Sequence, residues 1–389
     1  MVVPAQSTPE TAPDLIRDTA IREIQAKILN VPTTRRHKLS NTAVTHQNYV
    51  HVQVRFDNGV IGHGEAATLG GPRWSEESVE AIKANIDTYL APALIGTPGC
   101  HLEAANLRLD AAAKRNASAK SALSAALMDA LGRTLDLPAT AFLGGAVRDR
   151  ISVIWALASG DVIQEVEEAK AKIAARQFNR FKIKLGFADI HTDLRRLDRL
   201  RTELPEGTEI IADINQGWSE ADCRKWLPSL EALDISLIEQ PLDAGNMAGM
   251  ARLAKISRIP LMLDEGVFTP QEAFHGAATG AGSVLSLKLC KHGSAQALQR
   301  VAGIAFAGGQ ELYGGCLLES SLGAAAHLAV FATLPSLTWG CEHFGPLILS
   351  EDTVEASLIY EDFHVLVPQG PGLGVTPDPA KTARFERKN

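Results

Sequence analysis

The chain has 389 residues, 46% hydrophobic and 21% charged, a globular composition long enough for one large or a few ordinary domains with an ample core. Disordered, collagen-like and coiled-coil proteins are excluded. A formal charge of −7 with no basic run argues for no nucleic-acid partner and no membrane surface as partner. The five cysteines, at 100, 223, 290, 316 and 341, are odd in number and lack a CxxC pair, which reads as reduced thiols in a cytoplasm and against a zinc site.

In chain order, residues 1–18 have neither a basic nor an apolar leader pattern and read as a frayed tail. Ile21–Val31 and Asn48–Arg55 alternate like strands, and Asp57-Asn58-Gly59 signals a hairpin turn. Val79, Ile82, Ile86 and Leu90 recur at helical spacing within Ser75–Leu94. The Ala/Leu-rich run Ser118–Leu135 is a second predicted helix, and Gly144-Gly145 marks a break.

From Ile151 onward short apolar strands alternate with helical segments. The predicted strands are Ile151–Ala156, Arg180–Lys184, Glu209–Asp213, Ser236–Glu239, Leu261–Asp264, Ser283–Lys288, Gln310–Tyr313 and Ser336–Trp339. Their ends recur roughly every 25 residues, the length of a strand, a loop and a crossover helix, as in a (β/α) barrel. The longest mostly apolar stretch, Leu322–Leu334, contains His327 and falls short of the roughly 20 residues of a membrane span. After Gly345 come the strand-like pieces Ser357–Tyr360 and His364–Val367, then Gln369-Gly370-Pro371-Gly372-Leu373-Gly374. That run follows no strand and opens no helix, so it reads as a docking turn and not a dinucleotide loop.

In such a barrel the C-terminal strand ends converge on one mouth, and here they are polar. Asp213, Glu239 and Asp264 end three consecutive strands, each after an apolar run. One such acid could simply cap the following helix. Three in register repel unless a cation lies among them, and an all-oxygen set selects a hard ion such as Mn²⁺ or Mg²⁺. Lys182 and Lys184 share a strand face, and Lys288 stands roughly across the barrel. Lysines flanking a carboxylate-bearing substrate suit proton transfer at its α-carbon, where a cation stabilises the developing enolate. Acid/base work of this kind expects lysine pKa values lowered toward neutrality by neighbouring positive charge.

Lys-x-Lys, Asp-x-Asn, Glu-Gln-Pro, Asp-Glu and the later strand-end lysine resemble the signature of the enolase superfamily, muconate-lactonizing subgroup. Arg36–Ser40, Gly64–Gly71, Tyr313–Glu319 and Trp339–Leu347 resemble the same subgroup, and the likeness spans Ile21 to Val375. It implies an α/β fold: a modified (β/α)7β TIM-like barrel over 146–345 with an N-terminal α+β capping domain over 19–145, and a C-terminal segment, 346–389, returning to the cap. It implies metal ligands Asp213, Glu239 and Asp264, an acid/base Lys184, Lys182 holding the substrate carboxylate, and Lys288 on the opposite face. Glu319 would serve the second end of the substrate, Asn215 and Glu265 would support the site, and the loop Leu69–Trp74 would close over it. Glu319 could equally cap the helix beginning near Ser320. Trp74 stands where the subgroup carries Tyr, which leaves halogens on the substrate open. The absence of a His-Asp dyad after Tyr313 argues against the mandelate racemase pattern, despite His37 and His343.

The implied activity is lactonization of cis,cis-muconate, a small dicarboxylate, in catechol catabolism by a cytoplasmic homo-oligomer, dimer or octamer. Rival readings are chloromuconate cycloisomerization, o-succinylbenzoate synthesis or N-acylamino acid racemization on the same scaffold, and a non-catalytic barrel binding an acidic metabolite.

Overall fold

The computed structural model describes residues 19–38, 43–186 and 189–388. Residues 1–18, and Leu39 and Ser40 of the Arg36–Ser40 stretch, lie outside them. The first layer is an antiparallel sheet of β1 (Ile21–Lys38), β2 (Ala43–Phe56) and β3 (Ile61–Thr68), with Ile28 opposite Val50 and Val52 opposite Gly64. The β2–β3 turn falls on the predicted Asp57-Asn58-Gly59: Gly59 has φ +87°, and Asn58 Oδ1 accepts the Val60 N–H at 3.0 Å.

Helix α1 (Val79–Asn85) starts at a Ser78 cap, later than the predicted Ser75. The predicted run to Leu94 is broken by a π turn over Ile86–Leu90 before a last short turn, Ala91–Leu94. Pro92 is the cause, since it has no N–H to donate and its ring crowds the preceding turn. Helix α2 (Leu102–Ala112), which the apolar pattern did not single out, precedes α3 (Ala117–Leu135). That last helix presses against the sheet so closely that a Cβ on Gly62 would lie 2.1 Å from the Ala126 carbonyl oxygen, and one on Gly64 2.0 Å from that of Ala122. The alanine-rich face and the two glycines are what permit this approach.

The second layer is a parallel sheet ordered consecutively from β5 to β11. Its strands are β5 (Trp155–Leu157), β6 (Arg180–Lys184), β7 (Glu209–Asp213), β8 (Leu237–Glu239), β9 (Leu261–Leu263), β10 (Val284–Leu287) and β11 (Glu311–Gly314). Two of the predicted strands need correction. Ile151–Ala156 is two elements: β4 (Arg150–Ser152) leaves the barrel to pair with the tail, while β5 pairs with β6. Ser336–Trp339 is a turn, and the ring closes instead through Cys341, bridged to both Gly314 and Val153. Gly340, at φ +68° with its backbone against Ser152, kinks the chain there and prevents a regular strand.

Alternation along the strands decides what fills the barrel. Ile211, Leu237, Met262, Val284 and Tyr313 point inward with Ile154 as a buried plug. Two residues beyond the first three stand Asp213, Glu239 and Asp264, so each strand sends an apolar side chain to the plug and an acid to the mouth. The outward side chains of the same strands, such as Phe181, Ile183, Ile210 and Ala212, pack under the crossover helices.

The tail hairpin β12 (Tyr360–Glu361) and β13 (His364–Leu366) adds antiparallel to β4. The following Pro-Gly turn docks on α3: Leu373 donates its N–H to buried Asp129 at 2.8 Å, and Arg133 donates to the Val375 carbonyl at 2.7 Å. Asp129 also accepts from the His63 N–H and Arg133 Nε, both at 2.8 Å. Asp129→Ala should therefore leave two backbone donors without a partner and cost about 2–4 kcal/mol by urea unfolding. A loss below about 1 kcal/mol would show that the tail holds without it.

His51 and His63 stack with Nε2 and Nδ1 3.1 Å apart. Burial, then the neighbouring ring, lowers His51 to about 3. Burial, then the Arg133 charge, lowers His63 to about 4. The unfolded chain thus binds protons first as pH falls. This contribution to stability is complete above about 6.5 and is lost progressively as pH drops toward the folded values. The urea midpoint should fall between pH 7 and 4.5, and replacing both residues by Gln should flatten that slope; an unchanged slope would assign it to other groups.

Candidate functional site

The strand register sets the level of each polar side chain at the mouth. Lys184 is paired with Asp213, and Asp213 with Glu239, on three adjacent strands. Met262 lies opposite both Glu239 and Val284, so Asp264 and Lys288 rise one and two steps higher. The ring of groups is therefore staggered, low at the lysine pair and high at Lys288. Asp213, Glu239, Asp264, Lys182, Lys184 and Lys288 are all buried.

Their contacts interlock. The Lys184 ammonium donates to Asp213 Oδ2 at 2.5 Å and to Asn215 Oδ1 at 3.1 Å. Lys182 lies 3.1 Å from Asp213 Oδ2, 2.5 Å from Glu239 Oε2, and against Glu342. Its contact to Glu239 lacks hydrogen-bond alignment, which leaves Glu239 Oε2 buried without a hydrogen-bond donor. Lys288 donates to Asp264 Oδ2 at 2.5 Å and lies 4.1 Å over the Trp74 ring. Asn215 supports both neighbours, accepting from Lys184 and donating from Nδ2 to Glu265 Oε1 at 3.0 Å. Asn215, Gln216 and Gln240 have positive φ values of 42°, 66° and 32°, so the backbone is strained at the ends of β7 and β8.

Two participants were absent from the sequence-based set. Lys291 spends its three N–H groups on Asp264 Oδ1 at 2.9 Å, the Asp264 carbonyl at 2.9 Å and the Ser286 carbonyl at 2.6 Å. It stands one helical turn after Lys288, and that spacing was the available signal. Glu342 accepts from the Tyr313 hydroxyl at 2.5 Å and pairs with Lys182. It lies in the Trp339–Leu347 stretch, one residue after the barrel-closing Cys341.

Charge states follow from this crowding. Burial opposes the charged form of Asp264, but Lys288 and Lys291 outweigh it and hold its carboxyl well below the usual range. Asp213 is lowered too, with Lys182 and Lys184 prevailing over burial. Glu239 is pushed well up, by burial and then by Asp213. Burial, then Asp264 and Asp213, raises Glu265 to about 7. Lys182 and Lys288 are both raised. Burial works against their charge, and the adjacent carboxylates overcome it.

Glu319 ends the loop after β11, is buried, and accepts the Leu317 N–H at 2.8 Å through Oε1. It does not cap the next helix: Ser320 does, accepting from Leu322 N–H, while Glu65 of β3 accepts the Ser320 N–H. His343 lies 3.7 Å from Glu319 Oε2, and both its ring nitrogens lack partners. His327 is committed, since its Nε2 accepts the Leu289 N–H at 3.0 Å. Leu69 lines a small cavity of about 20 Å³ together with His37, Lys182, Lys184, Cys316 and Leu318. Trp74 packs on Phe268 at 6.1 Å and covers Lys288, and Gly70 and Gly71 both have positive φ.

The donor chemistry fits a hard divalent ion. The three acids offer only oxygen, and they lie close enough for Asp213 and Asp264 to act on Glu239, whose buried Oε2 faces the Lys182 ammonium. A lysine ammonium resting between Asp213 and Glu239 marks the place as one that attracts positive charge.

Residues 23–144 match the N-terminal domain model of mandelate racemase/muconate lactonizing enzyme, and residues 164–381 match the enolase C-terminal domain-like model. Muconate cycloisomerase 1 of Pseudomonas putida is 43% identical over 95% of this chain and 99% of its own length. A chloromuconate cycloisomerase, also of Pseudomonas putida, is 39% identical over 94% of this chain and 99% of its own. A muconate lactonizing enzyme from Pseudomonas fluorescens, solved in complex with muconolactone, superposes with a TM-score of 0.94. It has 40% identity and covers 95% of this chain and 100% of that one. With both halves matched and the arrangement of strands and cap in common, the chain belongs to the mandelate racemase/muconate lactonizing enzyme family of the enolase superfamily.

Proposed function

We propose that the protein is a cycloisomerase that closes cis,cis-muconate to muconolactone. The observation that carries this reading is the buried mouth in which Asp213, Glu239 and Asp264 meet between Lys184 and Lys288. The muconate and chloromuconate cycloisomerases among its relatives support it. The division into a cap over 19–145, a barrel over 146–345 and a returning segment over 346–389 belongs to the same reading.

Asp213, Glu239 and Asp264 would hold Mn²⁺ or Mg²⁺. When bound, such an ion supplies Lewis-acid stabilisation of the charge that develops on the substrate carboxylate. The side chains do the rest. Lys182, anchored by Glu342, presents an ammonium to that carboxylate. The other substrate carboxylate adds an oxygen to the far double bond, and the displaced electron pair moves toward the first carboxylate. Lys184 then delivers a proton to the carbon beside it, and solvent restores the lysine. Lys288 faces the site from the opposite side, where Trp74 covers it and excludes water. Glu319 is placed to serve the lactone end.

Chloromuconate is the second reading, favoured by the several chloromuconate cycloisomerases at 39–40% identity. Steady-state rates on muconate and on 2- and 3-chloromuconate decide between them. Activity on an N-acylamino acid with none on either muconate would overturn both.

Lys184→Ala should lower kcat on muconate by roughly 10²–10⁴ with the fold intact by circular dichroism. A rate within about tenfold of the unsubstituted protein would move the proton-transfer role to Lys288. Dialysis against EDTA should abolish turnover, and added Mn²⁺ should restore it together with a rise in thermal midpoint. Full activity after chelation would remove the ion from the mechanism.

A further inference from the structure

The loop that follows β11 carries a backbone conformation its sequence does not favour. Leu318 has φ +60°, in the left-handed region, where a branched side chain costs about 1–2 kcal/mol. The conformation is imposed from two sides. Gly345 presses its backbone on the Leu318–Glu319 peptide, where a Cβ would lie 2.2 Å from the Glu319 carbonyl oxygen. From the other side, the Tyr49 hydroxyl of β2 donates to the Leu318 carbonyl at 2.8 Å. Tyr49 is fully buried.

Gln47, two residues earlier and on the same face of β2, completes the clamp. Its Nε2 donates to the Leu317 carbonyl at 2.7 Å and to the Thr68 carbonyl at 2.9 Å. Thr68 precedes Leu69. One strand of the cap thus holds the backbone beneath two apolar walls of the same small cavity, Leu69 and Leu318, which face Lys182 and Lys184. Strain kept at a site by buried hydrogen bonds from another layer marks a position where geometry is being enforced.

We propose that Tyr49 is a positioning residue that sets substrate preference by clamping Leu318, in its left-handed conformation, against the cavity that receives the muconate chain. The inference deepens the cycloisomerase reading and rests on it for the identity of the substrate. The clamp governs how much room is left beside the lysines. On this proposal the clamped wall favours the unsubstituted chain, and a relaxed Leu318 makes room for a chain substituent such as chlorine.

The test is Tyr49→Phe, which removes one oxygen and keeps the packing. Losing a buried hydrogen bond of this type should raise KM for muconate by about 3–10-fold with kcat changed less than about twofold. The ratio of kcat/KM for 2-chloromuconate over muconate should rise by about threefold or more. In a Leu318→Gly background, where the left-handed conformation costs nothing and no side chain can swing, adding Tyr49→Phe should move that ratio by less than about twofold. An unchanged KM and ratio in Tyr49→Phe, or an equal shift in both backgrounds, overturns the proposal. Hydrogen exchange provides a readout that needs no turnover. Amides of 316–320 should exchange about tenfold faster in Tyr49→Phe than in the unsubstituted protein. If the unsubstituted protein converts neither muconate, the functional reading fails, and exchange alone decides whether Tyr49 is the clamp; unaltered exchange refutes it.

Discussion

Buried charge has to be cancelled where it stands. Asp213, Glu239 and Asp264 at the mouth of this barrel are buried, so each carboxylate needs a positive or donating neighbour within reach. Asp213 has two lysines, Asp264 has two, and Glu239 shares Lys182 with Glu342. Lys291 is the most committed of the cations, because its three donors are all satisfied and one fixes Asp264 Oδ1. It leaves the other Asp264 oxygen to Lys288. The site is thus a network in which Asp213 and Asp264 each keep a second lysine if one is removed, while Glu239 depends on Lys182 alone among the lysines.

That network was largely legible before any coordinates. Acids and lysines immediately after short apolar runs announce the mouth of a barrel, because inward and outward positions alternate with a period of two. The same alternation explains why Ile211, Leu237 and Met262 form the plug beneath. Other features were hidden for definite reasons. Lys291 lies on the turn Leu289–His292, outside any strand pattern. Ser336–Trp339 looks like a strand by composition, yet Gly340 bends the chain and the closing contact moves to Cys341. The π turn before Pro92 follows from one imino acid in an otherwise regular amphipathic run. The posture of Leu318 depends on Tyr49, distant in sequence by 269 positions, and no local rule predicts it.

The cap contributes chemistry as well as cover. Trp74 is held on Phe268 of the barrel and places its ring over the Lys288 ammonium, so the cap senses the charge at the high side of the mouth. Glu65, raised to about 8 chiefly by burial, accepts from Ser320 and ties β3 to the start of the helix after Glu319. Gly62 and Gly64 bring the whole sheet down onto α3, which sets the height of these groups above the barrel. Small residues at that interface therefore matter to the site although none of them touches it.

Asp129 has an implication for how the protein is made. Two of its partners, His63 and Arg133, are synthesised with the cap, but the third, Leu373, lies 244 residues downstream. At roughly 5–20 residues per second a ribosome needs tens of seconds to reach it. During that interval the cap sheet and α3 have an incompletely satisfied carboxylate at their centre, and β4 lacks the strand it will pair with. Until the tail returns, the nascent chain therefore carries two separate openings, an unmet acceptor in the cap and an unpaired edge at β4.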